Sequence, residues 1–399
     1  MLRDSSSERA WARRDQPWSW HWVMSFLTTF PEDVYPMHRL AETIGRDTFD
    51  IELAQALMWM SQAAYETTAY SCQEGGTPKL ERILGRWGFA CRARLSQGGT
   101  EGFVAESEAA IVVAFAGTDP VVAANWITDF NVRTDSDGIH RGFADGVEGI
   151  WPALVTALEG IAKRIFLVGH SLGGALAVVA AWRLTGDDQL RADQARRGGG
   201  IGVERIAGVL AFGMPRAGDQ RFAAACKSRG LWPKIARLEY GSDIVPSLPP
   251  AAVGHLAFRH VGPALHCPHG GQFKDSLPPH DDPDEPMTLA HLEELLGVTD
   301  SETLRLFGEA WHRILDHGVP RSPAGGTATL IIDRLPFFLR DHLQDCYLEA
   351  LGWSFTRPSA SRVSISAEDA DSFAHASEAH IEETRRDLPA LLRRLFVGG

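Results

Sequence analysis

Hydrophobic residues follow helical and strand-like periods in turn through the middle of the chain. From Asp50 the segment DIELAQALMWMSQAAYE places apolar residues at helical spacing, which predicts an amphipathic helix. The runs GFACRARLS, EGFVAESE and AAIVVAFAG then predict three successive strands, the last of which is apolar enough to be buried on both faces. Later strands are predicted at 164–168 and in IAGVLAFG and KIARLEYG, with helices at 147–163 and 172–183. This alternation predicts a mostly parallel sheet with helices on both faces.

The pattern changes at both ends of the chain. Residues 1–49 are irregular and rich in Trp and Arg, and beyond about Val319 linker-like stretches alternate with helical ones. We therefore expect an N-terminal extension at 1–49, an α/β domain at 50–320 and a mostly helical C-terminal extension at 321–399. Two further polar stretches are expected to be loops, namely 191–202 and 266–286.

Composition and charge narrow the class of protein. The chain has 399 residues, is 44% hydrophobic and carries a net charge of −12, which argues against a nucleic-acid partner. No apolar run reaches the roughly 18 residues that a membrane-spanning helix needs. We recognise no secretion signal, and the five scattered cysteines do not form a disulfide framework. Both observations favour a cytoplasmic location.

The stretch RIFLVGHSLGGALAVVAAW contains the strongest chemical signal. Ser171 stands in a G-x-S-x-G pattern between an apolar strand and a helical pattern. A nucleophilic serine at such a junction sits on a sharp turn, where side chains at Gly169 or Gly173 would collide with the neighbouring strand and helix. The helix N-terminus would also place backbone N–H groups near developing negative charge. The alternative is a glycine-rich bend that happens to hold a serine.

A serine nucleophile needs a base and an acid that orients the base. In α/β-hydrolases the acid follows the serine along the chain and the histidine follows the acid. Asp243 comes directly after a predicted buried strand, at the sheet edge where such acids lie. The alternative for Asp243 is a turn aspartate before Pro246.

At this point the sequence resembles the class 3 (fungal-type, filamentous) lipases. The matching segments occur in the order of that family and cover about residues 50–320; they are IVVAFAGTD, NWITDF, IHRGF, GHSLGGALA, FGMPRAGDQRFA, SDIVPSLPP and FRHVG. The resemblance implies an α/β-hydrolase fold with the nucleophile on a strand–turn–helix elbow. It implies Ser171 as nucleophile, Asp243 as acid, and the backbone N–H groups of Thr118 and Leu172 as the oxyanion hole.

Other roles implied by the resemblance concern the segment after Thr118. Asp129 would anchor the Thr118 hydroxyl. The segment DPVVAANWITDF stands where the family has its lid, and its apolar side chains would form one face of a short helix: Val121, Val122, Trp126 and Ile127. The alternative is a surface helix with one buried side. His260 corresponds to a structural histidine of the family rather than to the base.

The base is the hardest residue to identify among the 15 histidines. The family places it after the acid, commonly as Asp-His and usually with a Tyr a few residues later. WHRILDHGVPR supplies Asp316-His317 in that position, although Pro320 stands where the Tyr is expected. We therefore favour His317. The remaining candidates are His291, His312, His342, His375 and His380.

Together these features predict a serine hydrolase that cleaves carboxylic esters of lipids or other acyl esters, either in solution or at an oil–water or membrane interface. The mechanism requires no metal or organic cofactor. The polar residues of 266–282 could be interpreted as a metal cluster, but their spacing fits no closed zinc pattern and a solvated loop is favoured. Phospholipase or acyltransferase activity is an alternative, and so is a non-catalytic lipid-binding protein, which loss of a triad residue would have favoured.

Overall fold

A mixed sheet of seven strands forms the centre of the molecule. The computed structural model describes residues 28–46, 50–68, 78–117, 133–186, 202–241, 243, 245–249, 252–253, 256–274 and 341–355. The strands within them are β1 (Ala90–Gln97), β2 (Thr100–Glu106), β3 (Ala110–Phe115), β4 (Arg164–His170), β5 (Ile206–Phe212), β6 (Gly218–Asp219), β7 (Ile235–Tyr240), β8 (Ala252–Val253), β9 (Leu256–Arg259) and β10 (Ala264–Cys267). The large sheet has the order β1-β2-β3-β4-β5-β7-β10, and β6, β9 and β8 form a small second sheet.

The direction of the strands creates one chemically useful edge. β1, β2 and β3 pair antiparallel, whereas β3, β4, β5, β7 and β10 are all parallel. The carboxyl ends of the five parallel strands therefore lie at the same edge. This is the edge at which open α/β sheets bind ligands.

Helices cover both faces of the sheet, as the sequence predicted. They are α1 (Leu40–Ile44), α2 (Ile51–Ala64), α3 (Lys79–Trp87), α4 (Arg141–Leu158), α5 (Leu172–Gly186), α6 (Gln220–Ser228) and α7 (Gln344–Ala350). Because side chains alternate along a strand, Val112 and Ala114 of β3 pack with α1, α2, α3 and α7, whereas Ile111 and Val113 pack with α4, α5 and α6. Among the described residues no helix is both long and apolar enough to span a membrane.

Two differences from the predicted elements have clear physical causes. α4 begins at Arg141 rather than 147, because the His140 Nδ1 accepts the Gly142 N–H and caps a first turn whose glycines obscure the helical pattern. It ends at Leu158, two residues before Gly160, whose φ of 69° is left-handed.

The parts of both extensions that the structure describes join the main core. Phe30 on the N-terminal side and Tyr347 and Leu348 on the C-terminal side are fully buried in the same apolar cluster as α2. Phe30 and Phe355 each stack edge-on with Trp59 of α2. The boundaries expected at residues 49 and 320 therefore do not separate these segments from the α/β core. The rest of both extensions lies outside the described residues.

Candidate active site

Ser171 occupies a strained turn between β4 and α5. Its φ is 58°, the left-handed region, and it is the one non-glycine residue with a positive φ within the described part of the chain. The Ser171 N–H donates to the Phe212 carbonyl at 2.8 Å, and the Gly174 N–H donates to the Ser171 carbonyl at 3.0 Å. These bonds hold the strained backbone at the carboxyl end of the sheet. Strain of this kind is typical of functional positions.

The glycines around Ser171 allow very close backbone contacts. A Cβ on Gly169 would lie 2.1 Å from the Gly173 carbonyl carbon, and one on Gly173 would lie 2.3 Å from the Phe115 carbonyl oxygen. No side chain fits at either distance. The crowding expected from the sequence is therefore present, between the turn and helix α5 and between that helix and strand β3.

Asp243 follows β7 at the same edge of the sheet. Its Oδ1 accepts the Val245 N–H at 2.9 Å, and its Oδ2 accepts the Tyr347 hydroxyl proton at 2.6 Å. The residue is only 8% exposed. Both oxygens of this buried carboxyl group therefore have hydrogen-bond partners, as a buried polar group requires.

The imidazole that joins Asp243 to Ser171 belongs to His342. Its Nδ1 lies 2.8 Å from Asp243 Oδ2, and its Nε2 lies 2.9 Å from Ser171 Oγ. Since the carboxylate can only accept, Nδ1 carries the proton and Nε2 is free to accept the serine proton. A continuous Ser–His–Asp chain of hydrogen bonds can activate a serine hydroxyl as a nucleophile.

This geometry corrects our preference for His317. The base position beside Ser171 and Asp243 is filled by His342, which had been one of the alternatives, while His317 lies outside the described residues, as do His291, His312, His375 and His380. The chain offers an Asp-His pair at 316–317 and another at 341–342, and the order of residues alone cannot choose between them. The signal that could have chosen is the tyrosine, because Tyr347 follows His342 closely whereas Pro320 follows His317.

Tyr347 connects the base segment to the acid. Its hydroxyl donates to Asp243 Oδ2 and accepts the Tyr240 N–H at 3.2 Å. Burial, followed by the adjacent Asp243 charge, raises the pKa of the Tyr347 phenol well above its usual value. Tyr347 therefore remains a proton donor to Asp243 throughout the neutral range. Sequence reasoning had not identified it.

Two further histidines of the site region have other partners. His170 points away from Ser171 Oγ, with its Nδ1 2.9 Å from the Tyr65 hydroxyl and its Nε2 2.7 Å from the His342 carbonyl oxygen. The His260 Nε2 donates to the Pro246 carbonyl at 2.7 Å. Burial, with a smaller effect of nearby Arg237, lowers the pKa of His260 well below its usual value.

A second contact on the base segment involves its preceding residue. Asp341 is only 1% exposed in its side chain, and its Oδ1 lies 2.9 Å from Nδ1 of His269, which is 55% exposed. His269 lies just beyond β10, the edge strand of the sheet. This contact attaches the segment that carries His342 to the sheet edge.

The oxyanion and lid predictions are only partly covered by the structure. Leu172 is the first residue of α5, where the N–H has no partner within the helix. Thr118, Asp129 and the lid residues Val121, Val122, Trp126 and Ile127 lie outside the described residues. Gly117, immediately before Thr118, is described: a Cβ there would lie 2.9 Å from Ser171 Cβ and 2.7 Å from the His170 carbonyl oxygen. Gly117, the residue before Thr118, therefore lies directly beside the candidate nucleophile.

Comparison with known proteins gives relatives that match less than half of this chain. A lipase of Rhizomucor miehei is 31% identical over 168 residues, which are 39% of this chain and 41% of that protein. Phospholipase A1-Igamma2 of Arabidopsis thaliana is 29% identical over 195 residues, 45% of this chain and 32% of that protein. The chain thus spans less than half the length of these two relatives.

Similarity to solved structures is weaker. The crystal structure of a mono- and diacylglycerol lipase from Aspergillus oryzae covers 57% of this chain and 84% of its own, with 22% identity and a TM-score of 0.43. The family model described as lipase (class 3) matches residues 112–253, which hold β3, the Ser171 elbow and Asp243. Over this segment the chain is similar, at the level of distant homology, to the class 3 lipases.

Proposed function

We propose that this protein is a serine hydrolase that cleaves carboxylic esters of lipids or other acyl esters, as a lipase or esterase. The observation that carries the proposal is the hydrogen-bonded chain from Ser171 through His342 to Asp243. It lies on a strained elbow at the carboxyl edge of a parallel sheet. The class 3 lipase match over 112–253 supports the same chemistry.

The proposed reaction follows from the roles of these three side chains. His342 Nε2 accepts the Ser171 proton as the oxygen attacks the ester carbonyl, and Asp243 stabilises the resulting imidazolium. His342 then donates that proton to the departing alcohol, which leaves an acyl group on Ser171. A water molecule, deprotonated by His342, hydrolyses this acyl-enzyme and restores the serine.

The negative charge of the tetrahedral intermediate needs fixed donors. The Leu172 N–H at the start of α5 is one, and we assign the Thr118 N–H as the other, with Asp129 holding the Thr118 hydroxyl. The close approach of Gly117 to Ser171 supports the Thr118 assignment. Hydrogen-bond donors that are already in place make the largest contribution to the rate enhancement of many acyl-transfer enzymes.

The proposed substrate is a lipid or acyl ester because the sequence of 119–130 would give a short helix one apolar face. Val121, Val122, Trp126 and Ile127 would cover the site when closed and contact lipid when open. Phospholipid is a second candidate substrate, favoured by the similarity to a phospholipase A1 of Arabidopsis thaliana. An acyltransferase would use the same acyl-enzyme with an alcohol in place of water.

A labelling and turnover experiment tests the proposal. The wild type should react with a fluorophosphonate probe at Ser171 and hydrolyse p-nitrophenyl esters. Ser171→Ala should not be labelled, should lose nearly all hydrolysis and should keep its melting temperature. Only a residual rate about 10³–10⁴-fold above water should remain without the nucleophile. A panel of short and long esters, triacylglycerol emulsion and phospholipid vesicles then separates esterase, lipase and phospholipase. Absence of labelling and turnover in the wild type would leave a non-catalytic lipid-binding protein.

The lid is tested by following rate against substrate concentration across the solubility limit. A closed lid should make the rate rise steeply once an interface forms, because its apolar face then gains burial against lipid at about 25 cal/mol per Å². Trp126→Ser should reduce that rise, whereas Asp129→Ala should slow monomeric and emulsified substrates alike. Smooth saturation in both wild type and Trp126→Ser would show that 119–130 is not a lid.

A further inference from the structure

His170, the residue between Gly169 and Ser171, forms a link between the nucleophile turn and the base. Its Nε2 lies 2.7 Å from the backbone carbonyl oxygen of His342. The two imidazole rings are adjacent and tilted, with centroids 4.6 Å apart and planes inclined by 33°. His170 is only 1% exposed, so water does not compete for these contacts. One residue of the elbow thus holds the main chain of the residue that serves as base.

The hydrogen bonds also determine the tautomer of His170. A carbonyl oxygen only accepts, so Nε2 carries the proton. Nδ1 of the neutral ring then accepts, and the Tyr65 hydroxyl at 2.9 Å is the donor. Tyr65 lies directly after α2, which brings a third part of the chain into the link.

We infer that His170 is a positioning residue for the base His342, and that Tyr65 keeps His170 in the neutral, Nε2-protonated form that this role needs. The inference rests on the proposed hydrolase function and adds to it how the base is held. His170 contacts neither substrate nor reacting atoms in this role. It acts through the main chain of His342.

The physical reason is that the base segment comes from far along the chain. Ser171 and His342 are 171 positions apart, so no local geometry brings them together. A displacement of the imidazole by about 1 Å can reduce a catalytic rate 10²-fold. The bond from His170 ties the position of His342 to that of Ser171, because His170 and Ser171 are neighbours in sequence.

A neutral His170 also suits the charge that develops on His342. During turnover the His342 ring becomes an imidazolium, and a second positive ring at 4.6 Å would oppose this step. The Tyr65 hydroxyl donates to the Nδ1 lone pair of His170, which a proton would otherwise occupy. The Tyr65 hydroxyl is also adjacent to Gly117, where a Cβ would lie 2.4 Å from it.

His260 offers a matched comparison inside the same protein. It too is buried and donates from Nε2 to a backbone carbonyl, that of Pro246, at the same 2.7 Å. If the role of His170 were only structural, substitutions of His170 and of His260 would have similar effects on stability and on kcat. The inference instead predicts that removing the His170 bond lowers kcat, whereas removing the His260 bond lowers stability first.

The experiment compares His170→Gln, His170→Asn and His170→Leu with His260→Leu, using a soluble p-nitrophenyl ester and the rate of fluorophosphonate labelling. Glutamine can place an N–H near the position of Nε2, whereas asparagine reaches only that of Nδ1. We expect kcat to fall about 10- to 100-fold in the Leu and Asn variants, with KM little changed and Gln within a few-fold of wild type. A His170→Leu variant with wild-type kcat, or a Gln variant as slow as Leu, would overturn the inference.

Tyr65→Phe keeps the core filled and so tests the inference even where His170→Leu does not fold. It should lower kcat several-fold and have no added effect in a His170→Asn background, since both changes remove one link. Tyr35→Phe, which removes another buried hydroxyl that bonds Glu66 at 2.6 Å, is the control. Equal kcat in wild type and Tyr65→Phe would exclude the role of Tyr65 in keeping His170 in its Nε2-protonated form. If the wild type itself neither labels at Ser171 nor turns over ester, the proposed function fails, a result distinct from any of these.

Discussion

The two sides of the candidate active site are built in different ways. On the nucleophile side, β4 and α5 are consecutive in sequence, and backbone hydrogen bonds and glycine contacts with β3 and β5 hold Ser171. On the base side, residues 341–351 are held by hydrogen bonds that each involve at least one side chain: Tyr347 to Asp243, Asp341 to His269, and the His170 imidazole to the His342 carbonyl. One side is a local motif, and the other is a distant segment bound to it.

This difference determines what each side tolerates. No side chain fits at the elbow glycines. The base segment is held by several separate hydrogen bonds and can lose one of them while the others remain. We therefore expect substitutions of the elbow glycines to act on folding and substitutions in the base segment to act on rate. The four predictions below test this distinction.

His342→Ala should have the largest effect, a loss of kcat on the order of 10⁴-fold or more, since triad members act as a unit. His317→Ala is the matched control and should turn over a soluble p-nitrophenyl ester at the wild-type rate. Thermal unfolding of both variants tests whether the loss in His342→Ala comes from misfolding. The reverse result would return the base to the residue that the sequence alone favoured.

Gly173→Ala should destabilise the fold by about 3 kcal/mol or more, because its Cβ would lie 2.3 Å from the rigid Phe115 carbonyl oxygen. Gly85→Ala is its control: Gly85 lies inside α3, and a Cβ there meets nothing within 4 Å. Helix propensity predicts that this control is stabilised by up to about 1 kcal/mol. Urea unfolding measures both. Similar stabilities of the two variants would contradict the steric account of the elbow.

Tyr347→Phe should lower kcat about 10- to 100-fold, because the lost hydrogen bond to a charged group contributes about 1.5–3 kcal/mol. Tyr240→Phe removes a nearby hydroxyl that accepts the Gly270 N–H at 2.8 Å but does not contact Asp243. Steady-state kinetics on a soluble ester compares the two. If both variants lose the same activity, the Tyr347 hydroxyl has no special role at Asp243.

Acid pH should destabilise α4, which packs in one apolar cluster with α5 of the nucleophile side, through its capping residue His140. Burial lowers the pKa of His140 to about 4, whereas the unfolded imidazole takes up a proton near 6.5. Between these values only the unfolded chain is protonated, so stability falls as pH falls, by about 2 kcal/mol at pH 5. Urea unfolding at pH 7.5 and pH 5 measures this change. Asparagine keeps an acceptor for the Gly142 N–H, so His140→Asn should lose this part of the pH dependence; an unchanged slope would mean that other groups cause it.

How much could be predicted from sequence differs between the two sides. The buried strands and the elbow at Ser171 were predictable because period-two patterns and glycine spacing act over a few residues. Asp243 was placed at the correct edge because it directly follows a buried parallel strand. On the base side, Asp316-His317 and Asp341-His342 present the same local pattern, and only the later Tyr347 distinguishes them.

The sequence by itself therefore determined the α/β class, the order of the central strands and helices, and the serine turn, since each is encoded by residue patterns that span only a few positions. Only the tertiary structure decided that His342 faces Ser171 and Asp243, and that residues near 30 and 350 complete one core. The physical reason is that burial of apolar side chains does not depend on distance along the chain. A segment reaches the site when its own apolar residues, here Tyr347 and Leu348, fill the face beside α2.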